Sequence, residues 1–313
     1  MPTTLLVPTM GASLIGVFIS VFLYGITTLQ AFLYYEKYWK KDGAGIKYTV
    51  LLVWLLETVH AALACAFIFR LLVLNFNDFA ALEVTTVSDD VTHGILGLTI
   101  FVVHCFYIRR LWVFTRNIFI TGVVALLAVA HVVLELVTMA ILFIFPEFKD
   151  FHRATPFFTS AVVMAVTADI IIAVAMARNL QEKQSAIKQT NMLLNRLIAY
   201  IISTGVLTSV IDIVILVTFL AMPNNLVYLC FLNFINNFYA NSMLALLNGR
   251  GSLKGGGTTS GVASGDSISM DNIHSRDHAA GRMHIRPGAS KVVFGQRHSD
   301  EIEVSKTVET HIV

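Results

Sequence analysis

Seven long apolar runs, separated by short polar connections, set the pattern of this chain. A helix needs about 20 consecutive apolar residues to cross a bilayer. The runs fall at 14–35, 48–74, 91–111, 118–145, 156–178, 197–222 and 226–247. Lipid offers no partner for a free backbone N–H or C=O, so runs of this length predict helices. The expected fold class is all-α: an integral membrane bundle of seven transmembrane helices over residues 1–248, followed by a disordered C-terminal tail at 249–313. The fourth run is long enough to cross with a tilt.

Positive charge sets the direction of threading. The first connection carries Lys37, Lys40, Lys41 and Lys47, the third Arg109, Arg110 and Arg116, and the fifth Arg178, Lys183, Lys188 and Arg196. The residues before the first run, the second connection and the sixth carry none, and the fourth carries Lys149 and Arg153. Eleven against two predicts an N-terminus that is extracellular or lumenal and a cytoplasmic C-terminus, with the plasma membrane the favoured host. Arg70 is placed to snorkel outward from the end of the second run. Tyr34, Tyr35, Tyr38 and Trp39 close the first run and Tyr107 and Trp112 the third, at the same predicted inner interface. The second connection is acidic, with Asp78, Glu83, Asp89 and Asp90, and is expected as a solvated loop. The first residues lack the positive flank of a cleaved signal peptide, so the first run is expected to remain as a span.

Composition supports this class. Of 313 residues, 56% are hydrophobic and 13% charged, with a mean hydropathy of +0.72, against about a quarter charged in soluble domains. The net charge of +2, with basic residues beside apolar runs, speaks against nucleic acid as a partner. The lipid bilayer is the first partner expected. Eight of the 22 Lys and Arg and seven of the 20 Asp and Glu lie after Asn248. That tail opens on a Gly/Ser-rich stretch, the composition of a flexible segment. Cys65, Cys105 and Cys230 lie within apolar runs without CxxC spacing, and are expected to be small buried residues. The fifth connection has no Gly or Pro, so the fifth and sixth helices are expected to continue beyond the membrane there.

Candidate chemistry rests on the polar residues inside the runs. Ionisable groups in lipid are costly and tend to face a bundle interior, where they mark functional sites. Glu57 and His60 lie three residues apart on one helical face, and His131 and Glu135 four apart on another. His104, Asp169 and Asp212 add one group each to the third, fifth and sixth runs. Gly205, Thr208, Ser209 and Asp212 form a small, polar stripe, and Asn233, Asn236, Asn237 and Asn241 a second. Such stripes also bind helices to one another, so a purely structural role stays open beside a candidate intramembrane site of Glu57, His60, His104, His131, Glu135, Asp169, Asp212, Asn233, Asn237 and Asn241.

Several chemistries can be weighed against these residues. A zinc-dependent lipid hydrolase would need three protein ligands, with His60, His104 and His131 the candidates, but no HExxH or HxxxH spacing occurs. A retinal photoreceptor needs a Lys in the last span, and residues 226–247 have none. A small-solute or proton-coupled transporter could relay protons along the carboxylates and histidines, although no internal repeat is visible. The seven-span threading is shared with G-protein-coupled receptors, yet the third run ends FVVHCFYIRRLW without a DRY-type triplet, and the seventh lacks NPxxY.

Four segments carry a closer likeness: GASLIGVFISVFLYGITTLQAFLYYEKY, LLVWLLETVHAAL, NRLIAYIISTGVLTSVIDIVILV and NFINNFYANSMLALLNGR. Together they resemble a large fungal family, abundant in mushroom-forming basidiomycetes, of seven-span membrane proteins carrying a domain of unknown function. The likeness covers roughly residues 11–250. It implies an integral membrane protein and assigns no activity and no site residues. The expectation is a non-enzymatic, receptor-like or sensory membrane protein without a cofactor. It would take an unidentified small ligand at the polar interior and a cytoplasmic signalling partner at the inner loops and tail. The alternatives are the transporter and then the hydrolase.

Overall fold

The computed structural model describes residues 10–76, 78, 84–184, 191–222 and 227–249. The tail, expected as disordered from 249 on, lies outside the described residues from 250 onward, as does Glu83. The described residues form seven α-helices: α1 (Ala12–Tyr38), α2 (Ala44–Phe69, continued by a π-helical turn Arg70–Leu74), α3 (Val87–Thr115), α4 (Ile118–Ile144), α5 (Thr155–Gln184), α6 (Asn191–Ala221) and α7 (Val227–Asn248). A short 3-10 segment, Phe148–Arg153, leads into α5. Among the described residues the extended structure is limited to one isolated bridge, Val84 to Glu147, where Thr85 N–H donates to Pro146 O at 2.7 Å.

Local chemistry explains several helix ends. Thr86 caps α3 by accepting from Asp89 N–H at 3.2 Å. Asp89 and Asp90 in that first turn suit the positive end of the helix dipole. The cap starts α3 four residues before the expected Val91 and draws the acidic pair into the helix. Asp90 is consequently buried rather than solvated, a correction to the loop expectation, whereas Asp78 is exposed as expected. Asn117 caps α4, accepting from Phe119 and Ile120 N–H at 3.0 and 3.2 Å. Between the two helices Arg116 adopts φ 51°, a left-handed C-cap conformation that disfavours a side chain. Replacing Arg116 by Gly is expected to raise stability by about 1 kcal/mol, read as a higher melting temperature of purified protein.

Among the described residues six helices, α1 to α6, are long and apolar enough to cross a membrane. The chain is accordingly a multi-pass, all-helical integral membrane protein. Large apolar side chains such as Phe18, Phe22, Phe32, Leu55, Leu126, Val210 and Val217 cover its outer surface, where lipid would solvate them. Cys65 and Cys105 lie on that outer surface, and Cys230 is half-buried. This corrects the expectation of buried thiols: a hydrophobe of that size is as compatible with lipid as with a core. Tyr35 and Trp39 pack at 4.9 Å, and Lys47 sits 5.5 Å over the Trp39 ring, at the end of the bundle where the basic residues gather.

Each helix packs on the next and α7 returns to α1, closing the ring. Helix α3 also reaches α5 and α7, and α7 touches α1, α2, α3 and α6, so these two helices run through the interior. None of the described large apolar side chains of α7 is exposed. A close approach occurs at Gly16, where an added Cβ would sit 2.5 Å from Cys230 O and 2.7 Å from its Cα. That contact lets the backbones of α1 and α7 meet directly, as small residues allow in membrane bundles.

Candidate intramembrane site

The expected polar residues divide into two clusters and a set of helix clips. The first cluster centres on Asp169 of α5. Its Oδ1 lies 3.1 Å from His104 Nε2 of α3. Its Oδ2 accepts from Thr208 Oγ1 of α6 at 2.5 Å and from the Tyr239 hydroxyl of α7 at 2.9 Å. The same hydroxyl lies 3.0 Å from Asp212 Oδ2 of α6. One carboxylate thus joins α3, α5, α6 and α7, and one phenol joins two carboxyl groups. All five side chains are buried. Below this node Tyr107 bonds Ser242 Oγ at 3.0 Å, and Ser242 donates to Tyr239 O at 2.8 Å. Tyr107 is therefore the donor of its pair. A crevice lined by Tyr107, Asp169, Thr204, Thr208, Tyr239 and Ser242 has room for about one water.

Helix α4 contributes His131 and Glu135. His131 Nδ1 is 3.0 Å from Ala161 O. A carbonyl only accepts, so Nδ1 carries hydrogen, and in the neutral ring Nε2 is left as an acceptor. Nε2 has no partner among the described residues, and neither has His104 Nδ1. The two rings stand edge to face with centroids 6.4 Å apart. Glu135 Oε2 lies 3.5 Å from His93 Nδ1 of α3, with both side chains buried. Gly97 permits this: a Cβ there would come within 2.7 Å of Glu135 Cβ.

The second cluster lies between α1, α2 and α7. Ser20 Oγ donates to Asn237 Oδ1 at 2.7 Å, and Asn237 Nδ2 donates to Glu57 Oε2 in a short bond. Glu57 and His60 are fully buried. Glu57 Oε1, both nitrogens of His60 and both amide atoms of Asn236 have no hydrogen-bond partner among the described residues. Glu57 and His60 share the face of α2 turned towards the interior, as expected from their spacing.

The remaining asparagines hold helices. Asn233 Nδ2 donates to Leu229 O of its own helix at 2.8 Å. Asn241 Nδ2 donates to Leu23 O at 3.1 Å and Asn248 Nδ2 to Gln30 O at 2.8 Å, both reaching the backbone of α1. Tyr38 returns a bond to Asn248 O at 3.1 Å. Replacing Asn241 by Leu is expected to cost about 0.6–1.7 kcal/mol, the range measured for interhelical bonds in a membrane protein. Thermal unfolding in detergent reads that loss, and an unchanged melting point would remove Asn241 from the α1–α7 clip.

Sequence reasoning missed Tyr239, Ser20, Ser242 and His93, and took Tyr107 only for an interface aromatic. Tyr239 had a readable signal: tyrosines in membrane helices gather at the interfaces, and this one lies mid-run among asparagines. His93 went unnoticed because the third run was started at 91, which left it near a helix end. Ser20 and Ser242 carry no signal in one dimension, since serine is common in any helix contact.

Among the described residues no group of three or more His, Cys, Asp or Glu side chains is arranged to hold a metal ion. His60, His104 and His131 do not converge as the hydrolase reading requires. No curated protein and no solved structure matches the chain. Residues 165–252, the stretch from α5 through α7 that carries Asp169, Thr208, Asp212 and Tyr239, match DUF6534, a family of unknown function.

Proposed function

We propose that the chain is a seven-span, receptor-like or sensory membrane protein of non-enzymatic action, in which the Asp169 node couples the positions of four helices. The observation that carries this reading is the single carboxylate shared by His104, Thr208 and Tyr239. Packed interiors rearrange between discrete states, and a node common to four helices transmits a local change to all of them. A small polar ligand competing for one of these bonds would release the others. The consequence would reach the inner loops and the tail, the surfaces offered to a cytoplasmic partner.

The seventh span belongs to this proposal. Helix α7 is not among the six spans picked out by length and apolar composition, because asparagines, Tyr239 and Ser242 interrupt its apolar run, and most of these are turned into the protein, where lipid does not meet them. A length of 22 residues suffices to cross. The charge bias supports an outer N-terminus and an inner C-terminus, and the resemblance of residues 11–250 to a fungal seven-span family supports the same count. Cysteines introduced at Asp78 and Lys40, in a chain cleared of its own thiols, test the threading. An impermeant reagent applied to intact cells, or to the lumenal side of sealed vesicles, should label position 78 and spare position 40. The reverse pattern would overturn the orientation.

A proton-coupled transporter is the second reading, favoured by the succession of Glu135, His131, His104, Asp169 and Asp212 through the bundle. Reconstituted vesicles separate the two. A small molecule that shifts the melting temperature of the wild type, loses its effect in Tyr239→Phe and drives no flux supports the receptor. Proton or solute flux abolished by Asp169→Asn supports the transporter.

A further inference from the structure

We infer that the Asp169–Tyr239–Asp212 node is a proton-binding site, and that its proton resides on the Asp212 carboxyl. The argument is a count of hydrogens. Three oxygen–oxygen contacts meet here: Thr208 Oγ1 to Asp169 Oδ2 at 2.5 Å, the Tyr239 hydroxyl to Asp169 Oδ2 at 2.9 Å, and the same hydroxyl to Asp212 Oδ2 at 3.0 Å. Each contact needs one hydrogen between its oxygens. Thr208 and Tyr239 have one each, and that of Thr208 is also within reach of the Thr204 and Gly205 carbonyls at 3.2 and 3.1 Å, so neither is to spare. The third hydrogen has to come from a carboxyl group, whichever way the phenol turns.

The surroundings decide which carboxyl holds it. Asp169 receives Thr208 and also His104, whose Nε2 lies 3.1 Å from Oδ1. With the ring hydrogen on Nε2, both Asp169 oxygens are already supplied with hydrogens by their neighbours. Asp212 has Tyr239 alone among the described residues. The hydrogens therefore run in one direction, from the Asp212 carboxyl to the Tyr239 oxygen, and from the Tyr239 hydroxyl to the Asp169 carboxylate. Loss of the proton would leave two carboxylates flanking a single phenolic hydrogen in a buried setting. The groups that interact with Asp212 offer little to offset that charge. They are Asp169 on α5, Glu135 on α4 and Tyr239 on α7, with His104 on the far side of Asp169. No Lys or Arg occurs in residues 87–108, 155–177, 199–221 or 227–248.

A crevice adjoins this proton. It runs from Asp169 and Tyr239 past Thr208 to Thr204, Ile201, Tyr107 and Ser242. Along α6 that is the direction of the basic connection between α5 and α6. Its polar lining is the hydroxyls of Tyr107, Thr204, Thr208, Tyr239 and Ser242 with the Asp169 carboxylate, and Ile172, Ile201 and Gly205 complete it. The inference rests on the proposed coupling role for its consequence, since proton loss would break a bond that ties α6 to α7. The proton itself rests on the contacts alone.

Infrared spectroscopy of the purified chain at neutral pH tests it, because a protonated carboxyl has a carbonyl stretch that a carboxylate lacks. The wild type is expected to show such a band that is absent in Asp212→Asn and shifted to higher frequency in Tyr239→Phe, where the acid loses its acceptor. The Asp212→Asn amide still donates to Tyr239, so that variant should fold. If it does not, Tyr239→Phe carries the test by itself. A carbonyl region unchanged in both variants would overturn the proposal. So would a band that survives Asp212→Asn and vanishes in Asp169→Asn, which would move the proton to the other carboxyl. Ligand-dependent melting, measured separately, fails or succeeds independently of this band and so tests the coupling role apart from the proton.

Discussion

Replacing Asp169 by Ala is expected to lower the stability of the bundle by about 3–5 kcal/mol, the range for breaking a buried ionic or hydrogen-bonded pair from one side. Three donors lose their acceptor at once: His104, Thr208 and Tyr239. All three are buried, and each group left unsatisfied adds about 1–3 kcal/mol. Thr208 is the least affected, since it can fall back on the Thr204 and Gly205 carbonyls at 3.2 and 3.1 Å. Asp169→Asn should cost less, since its amide oxygen still accepts from one neighbour. Melting of the two variants in one detergent at one pH gives the comparison. If Asp169→Ala melts with the wild type, the node contributes nothing to holding the helices together.

Replacing Gly16 by Ala is expected to cost about 1–3 kcal/mol, at the upper end of that range for overpacking. The new methyl would meet the carbonyl oxygen and Cα of Cys230 at 2.5 and 2.7 Å. These are backbone atoms that no rotamer change can move aside. Helix α1 would have to retreat from α7, stretching the bonds from Ser20 to Asn237 and from Asn241 to Leu23 O. Gly25→Ala on the same helix is the control. Nothing lies within 4 Å of its added Cβ, and better helix propensity should stabilise it by up to about 1 kcal/mol. Opposite shifts in melting temperature are the expected result. Equal shifts would mean that the close approach at Gly16 does not set the α1–α7 distance.

The candidate site was partly legible. Spacing put Glu57 with His60 and His131 with Glu135 on shared faces, and the cost of charge in lipid turned those faces inward. Asp169 and Asp212 followed by the same reasoning. Their meeting point was not legible, because residues 43 apart on separate helices touch only through the packing of α5, α6 and α7. The asparagine stripe shows the limit from the other side. One sequence pattern supplies an internal bond at Asn233, a contact with a buried carboxyl at Asn237 and backbone clips at Asn241 and Asn248. What each does depends on the neighbour the bundle provides.

The sequence by itself determined the solvent and the elements. Runs of about 20 apolar residues have to be helices in lipid, because nothing else satisfies their backbone. Their polar residues have to turn away from lipid, because exposure there costs several kcal/mol per charged group. The tertiary structure decided which helices meet and through which atoms. Close approach at Gly16 and Gly97, and the passage of α3 and α7 through the interior, depend on the fit of surfaces in three dimensions. That fit put a phenol from α7 between carboxyl groups of α5 and α6, a juxtaposition that no one-dimensional period encodes.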